Sequence, residues 1–142
     1  MPVRTKRWND PREPDDGLRV LICRYRPRGV PTAGEPWDAW TTALAPSKAL
    51  HAAAYGKDGR EKLPFAEYER RFRAEMASQQ FWIEGFAKRV ADGETVTLLC
   101  SSACTDESRC HRSLVKKMLE EAASPVGPPT GPVRRSDVRR RA

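Results

Sequence analysis

The stretch Cys100-Ser-Ser-Ala-Cys104-Thr-Asp-Glu-Ser-Arg-Cys110-His111-Arg112 gathers three of the chain's four cysteines, one of its two histidines and two arginines. Thiolate and imidazole are ligands that zinc and iron take. A thiol set among basic side chains can also serve as a nucleophile or redox sensor. The stretch follows the apolar run Val96-Thr97-Leu98-Leu99 and leads into an amphipathic segment, so a strand and a helix would fix its two ends.

The spacing narrows these chemistries. Cys100 and Cys104 fit a short metal knuckle, but Cys110 and His111 lie closer than the second ligand pair of an ordinary zinc finger. Cys23 stands at the end of another apolar run and is a fifth candidate ligand. The plainer reading makes Cys23 and Cys100 small buried residues that close strands. Cys110 begins a helix between Arg109, His111 and Arg112, where dipole and charge favour a thiolate; it is the candidate reactive thiol, with Cys104 as its resolving partner. The Cys-x5-Arg signature of phosphatases is absent, since Cys104 is followed at that interval by Cys110 and Arg109 falls one place early.

A second constellation is Arg24-Tyr25-Arg26-Pro27-Arg28-Gly29, three arginines alternating just past a strand. Guanidinium forks match phosphate geometry. Arg109 and Arg112 sit where a helix dipole opposes cations, and an anion on the helix amino terminus would turn that opposition into attraction. The five together, Arg24, Arg26, Arg28, Arg109 and Arg112, suit a nucleotide or a nucleic-acid backbone. Pairing with Asp106, Glu107 or Glu35 is the competing explanation.

These residues need a scaffold. Val3 to Trp8 reads as a short strand, Leu18 to Cys23 as an interior strand and Thr95 to Cys100 as a second core strand. Trp37, Trp40 and Leu44 are spaced for a helix over Pro36 to Leu44, and a shorter helix follows from Ser47 to about Tyr55. Phe65, Tyr68, Phe72 and Met76 mark the longest helix, opened by Pro64, with the stripe resuming at Ile83, Phe86 and Val90. A last helix begins near Ser108 and buries Leu114, Met118, Leu119 and Ala122. The fold class is α/β: a small two-layer or three-layer domain with a short, largely parallel sheet and flanking helices, over residues 1–123. If the strands ending at Cys23 and Cys100 lie side by side and parallel, both thiols emerge at the carboxyl edge, where open α/β sheets place their ligands.

The 142 residues carry a formal charge of +7. Residues 124–142 hold five arginines, four prolines and one aspartate and supply +4 of it, leaving +3 on the rest. That composition predicts a flexible basic tail, which would add salt-sensitive affinity for nucleic acid. Trp8, Trp37, Trp40 and Trp82 could stack on bases, although helical spacing makes core positions of Trp37 and Trp40. His51 reads as a plain helix-surface residue. There is no apolar signal segment and no run long enough for a bilayer, so cytoplasmic localisation is expected, where thiols stay reduced. Walker, dinucleotide-fingerprint, zinc-protease and serine-elbow motifs are all absent.

In order along the chain, Lys6-Arg7-Trp8-Asn9-Asp10-Pro11, Asp16-Gly17-Leu18-Arg19-Val20-Leu21-Ile22, Arg24-Tyr25-Arg26-Pro27-Arg28-Gly29-Val30, Leu44-Ala45-Pro46-Ser47, Tyr68 to Met76, and Val96 to Cys100 with Cys110-His111-Arg112-Ser113-Leu114 resemble the domain-of-unknown-function 488 family. The resemblance spans about residues 3 to 121 and implies an α/β domain without implying an activity. The chain departs from the family pattern at Cys23, where many members carry aspartate, at Arg26, where tryptophan is common, and at Cys104, an added thiol.

Two functional expectations follow. One is an arginine-lined site for a phosphate-bearing small molecule or nucleic acid at the carboxyl edge of the sheet. The other is a thiol redox or metal protein that uses Cys100, Cys104, Cys110 and His111, with Cys23 as a further ligand and zinc or iron as the ion. Whether either is an enzyme stays open at this level, as does oligomeric state.

Overall fold

Apolar β-branched runs that must bury both faces favour parallel pairing, and the computed structural model follows that rule. It describes residues 3–56, 62–102 and 104–124. Its strands are Val3–Arg7 (β1), Leu18–Leu21 (β2), Ala39–Trp40 (β3) and Val96–Cys100 (β4), in the spatial order β1-β4-β2-β3 with every pairing parallel. β4 lies between β1 and β2, and all five of its residues are buried. The expected tail, residues 124–142, lies outside the described residues apart from Ser124.

Alternation along the strands divides the core. Val20 and Ile22 of β2 and its continuation, with Val96 and Leu98 of β4, belong to a cluster that also takes residues from every helix. Leu21 and Leu99 face the other way and join Trp37, Cys23, Cys100 and Cys110, with Trp8 and Val30 packed at the margin. Helices therefore cover one face of the sheet and loop segments cover the other.

The helices are Lys48–Tyr55 (α1), Phe65–Met76 (α2), Gln80–Ala91 (α3) and His111–Ala123 (α4). The Ser47 hydroxyl accepts the Leu50 N–H at 3.1 Å and starts α1, and Gly56 ends it in the left-handed conformation that glycine adopts without strain. Glu75 of α2 ties that start down, accepting from the Ser47 N–H at 2.8 Å and from its hydroxyl at 2.5 Å. α2 buries Tyr68, Phe72 and Met76. Burying a side chain such as Phe72 contributes about 1.5–3 kcal/mol. A 3-10 turn at Ala77–Gln79 divides the long apolar stripe into α2 and α3.

One element differs from expectation. Pro36 to Leu44 is not a helix but the edge strand β3 followed by a 3-10 turn at Thr42–Leu44. The spacing of Trp37, Trp40 and Leu44 had a different cause: Trp37 is buried beneath the sheet, whereas Trp40 is partly exposed and donates from Nε1 to the Cys23 carbonyl at 2.8 Å. Asp38 reinforces the extended backbone by accepting the Arg19 N–H at 2.8 Å. Tertiary hydrogen bonds outweigh local helical spacing in this segment.

A buried charge pair closes the amino edge of the sheet. Arg19 and Asp16 are both fully buried and joined at 2.7 Å, and Arg19 also donates to the carbonyls of Trp8, Asp10 and Pro36. Lys6 and Arg4 reach the same carboxylate.

Candidate functional site

β2 and β4 run in register, with Leu21 opposite Leu99, so the chain leaves both strands at one edge. The Ile22 N–H donates to the Leu99 carbonyl at 3.0 Å and the Trp8 N–H to the Cys100 carbonyl at 2.8 Å. Cys23 and Cys100 thus emerge together. Beyond Cys100, the Cys104 N–H donates to the Ser101 carbonyl at 2.9 Å, which returns Cys104 toward the sheet. Asp106 caps a 3-10 turn at Glu107–Arg109, and Cys110 precedes α4 in extended conformation, as its amino-terminal cap rather than as a first-turn residue.

The three sulfurs of Cys100, Cys104 and Cys110 lie within 4.8 Å of one another, and those of Cys100 and Cys110 touch at 3.3 Å. His111 Nδ1 lies 3.8 Å from the Cys100 sulfur and 3.9 Å from that of Cys110. Its other nitrogen, Nε2, is 2.7 Å from the Ile22 carbonyl, which can only accept, so the proton sits on Nε2 and Nδ1 presents a lone pair to the sulfurs. Burial, partly countered by that bond, lowers the His111 pKa to about 4, and the imidazole is neutral at pH 7.

The thiols share their protons unequally. Hydrogen bonds from Cys100 and Cys110, aided by the nearby charge of Arg112, lower the Cys104 pKa to about 3. The same bonds, first that to Cys104, hold the Cys100 thiol well above its ordinary range. For Cys110 the bond to Cys100 favours the thiolate, but the bond to Cys104 and burial prevail and push it up to about 12. Cys104, half-buried where its two neighbours are buried, is the thiolate of the group. Helix dipole and flanking cations had marked Cys110 for that part; sulfur-to-sulfur bonding, which no linear spacing reveals, favours Cys104.

These thiols floor a cleft of about 850 Å³. Its walls include Arg24, Arg26, Arg28, Lys62 and Arg109, with Asp106 the one acid among the described lining residues. Two of the cations are engaged: Arg24 donates to the Pro46 and Thr42 carbonyls, and Arg26 pairs with Glu35 at 2.6 Å while lying over the Trp37 ring. Arg28, Lys62 and Arg109 make no side-chain hydrogen bond or ion pair among the described residues. Four of the five sequence-derived arginines therefore share one cleft. Arg112 does not line it; the side chain is buried behind the loop, where it donates to the Cys104 carbonyl at 3.1 Å. Its place in the first helical turn points it inward rather than toward the opening.

His51 and its neighbours were not legible as site residues. His51 lies on α1 against the rings of Tyr25 at 5.1 Å and Tyr55 at 4.7 Å, and all three line the cleft. Burial, then the nearby thiol charges, raise the Tyr55 pKa to about 12, so its phenol remains a donor. The i, i+4 spacing of His51 and Tyr55 was the available signal, but it could not show that Tyr25 packs on the same ring. No helix among the described residues is long and apolar enough to cross a membrane.

No solved structure matches the chain. It is 32% identical over 111 residues to the uncharacterized protein YeaO of Escherichia coli (strain K12), covering 76% of this chain and 90% of that protein. A family model described as the active DUF488-N3 subclade, DUF488-N3a, matches residues 3–123, the whole sheet and all four helices. The chain belongs to the DUF488 family.

Proposed function

We propose that the protein binds a phosphate-bearing small molecule in the cleft at the carboxyl edge of its sheet. The supporting observation is the charge imbalance of the described walls, with Arg28 and Lys62 making no side-chain hydrogen bond or ion pair among the described residues, Arg109 near Asp106, and Asp106 the one acid among the described lining residues. A volume near 850 Å³ suits a small molecule, whose sites span about 300–1,000 Å³, more than it suits a nucleic-acid backbone. Half-exposed Tyr25 and Tyr55 offer ring faces beside the cations, which favours a nucleotide over a bare phosphate ester. The test is equilibrium dialysis with nucleoside monophosphates and inorganic phosphate at low and high salt. Arg28→Ala and Arg109→Ala should each weaken binding about tenfold or more, the scale of one lost charged hydrogen bond. Binding that ignores both substitutions, or no binding at millimolar ligand, would refute the reading.

The Cys104 and Cys110 sulfurs, within 4.8 Å of each other, and the partial exposure of Cys104 favour a second reading, thiol redox chemistry. With a peroxide as oxidant, the Cys104 sulfur would attack and the O–O bond would break, leaving a sulfenic acid and releasing water or alcohol. The Cys110 thiol would then displace the second oxygen as water, forming the disulfide. Peptide mapping after hydrogen peroxide treatment should recover a Cys104–Cys110 disulfide, and its absence would refute this chemistry.

A further inference from the structure

We propose that Cys100, Cys104, Cys110 and His111 form a tetrahedral site for one zinc ion in the floor of the cleft. The four donors come from four different backbone settings: the end of β4, the loop after it, the cap of α4 and that helix's first residue. Adjacent ligands are usually awkward, because successive side chains diverge. Here Cys110 is extended, at φ −130 and ψ 145, and helical geometry starts at His111. The change of direction between them brings the Cys110 sulfur and His111 Nδ1 to 3.9 Å. That is why the linear spacing does not look like a zinc finger.

All but one of the donor separations approach what the ion requires. Zinc–sulfur bonds of about 2.3 Å and a zinc–nitrogen bond of about 2.0–2.1 Å, arranged tetrahedrally, place sulfurs about 3.8 Å apart and sulfur about 3.5 Å from nitrogen. The sulfurs here lie within 4.8 Å of one another, and Nδ1 stands 3.8 and 3.9 Å from two of them. Nδ1 lies more than 4.8 Å from the Cys104 sulfur, so the loop carrying Cys104 must close on the imidazole by more than an ångström, while the other donors need shifts of a few tenths of an ångström to about one ångström. The imidazole is already in the ligating tautomer, because the Ile22 carbonyl holds the proton on Nε2, the outer partner that ligating histidines usually have.

Charge agrees as well. Three thiolates and Zn²⁺ leave one negative charge, and the Arg112 guanidinium, only 5% exposed, lies behind Cys104 to offset it. Cys23 contacts Cys100 but is outside the group of mutually close sulfurs, which assigns it to the surroundings and not to the ion. The site is independent of the anionic-ligand reading, since none of its four donors is an arginine of the cleft wall.

The full chain, purified without a metal-binding tag under reducing conditions, should contain about one zinc per chain by elemental analysis. Zinc-edge X-ray absorption should report three sulfur neighbours and one nitrogen, and cobalt exchange should give the intense visible absorption of a tetrahedral thiolate site. Cys104→Ser, in a half-exposed loop, and His111→Gln should each weaken zinc binding at least about 100-fold, beyond the loss expected for an outer partner. Cys23→Ser should leave stoichiometry and spectrum unchanged. Circular dichroism of each variant separates loss of the ion from loss of the fold. A folded wild-type chain with four freely titrating thiols and no zinc uptake would overturn the proposal. So would wild-type affinity in folded Cys104→Ser and His111→Gln, or zinc lost from folded Cys23→Ser. All of these are read without phosphate or nucleotide present, so they stand or fall apart from the cleft's ligand.

Discussion

His111 gives its Nε2 proton to the carbonyl of Ile22 across 2.7 Å, linking the first residue of α4 to the end of β2. The bond fixes which nitrogen meets the thiols and couples the site to the sheet. The Phe72 ring packs edge-on against the imidazole from α2 at 5.6 Å. Strand, helix and aromatic contact thus leave the ring little freedom, the preorganisation that a ligand or metal site needs.

This arrangement makes the fold sensitive to acid in a defined window. Burial lowers the His111 pKa from 6.5 to about 4, so as pH falls below 6.5 the unfolded chain binds a proton that the native chain refuses. Stability of the metal-free protein should fall between pH 6.5 and about 4 and level off below, a loss of roughly 3 kcal/mol. Urea midpoints across that range check it, and in His111→Gln the slope should flatten.

Asp16 governs a second, lower window. Burial alone would raise its pKa, but the Glu13 N–H, Lys6 and Arg19 override that and bring it to about 2 from 3.8. Stability from this carboxylate is present above pH 3.8 and lost as pH falls toward 2. Asp16→Ala should cost about 3–5 kcal/mol at neutral pH, because it leaves the guanidinium of Arg19 buried without its carboxylate. Chemical denaturation at pH 7 measures this directly.

Gly17 is the tightest point of the entry into β2. Its φ of +63 disfavours any side chain, and a Cβ there would stand 2.2 Å from the Thr95 carbonyl oxygen. Gly17→Ala should destabilise the chain by about 2 kcal/mol or more. A lower urea midpoint with unchanged slope is the expected result.

Thiol reactivity should be ordered. In the metal-free protein Cys104 should alkylate first, at a rate that stays flat from pH 6 to 8 because its pKa lies near 3. Cys110, held near 12, and buried Cys100 should stay protected in the native state. Iodoacetamide labelling followed by peptide mass mapping reads the order, and stoichiometric zinc should suppress the Cys104 reaction.

Much of the scaffold was legible because its periodicity is local. Val96 to Cys100 reads as a buried strand from β-branched and apolar residues alone, and Tyr68, Phe72 and Met76 announce a helix face. The clustering of Cys100, Cys104 and Cys110, with His111 beside two of them, was legible from a strand-loop-helix order that can bring them together. What escaped depended on contacts distant in sequence. Trp40 bonds to Cys23 and Asp38 to Arg19, which makes a strand of a segment with helical spacing. The burial of Arg112 and the placing of His51 between two tyrosines likewise follow from how elements meet. The Asp16–Arg19 pair left only a faint trace, an arginine inside the apolar run from Leu18 to Cys23.

The most direct measurement is a two-dimensional amide NMR titration of the labelled full chain with a nucleoside monophosphate. Shifts concentrated at residues 24–28, 51–55 and 100–111, saturating with ligand and lost in Arg28→Ala, are the predicted result. A folded chain whose amides do not move, or move only on faces remote from the cleft, would contradict the assignment of the cleft as a phosphate-ligand site.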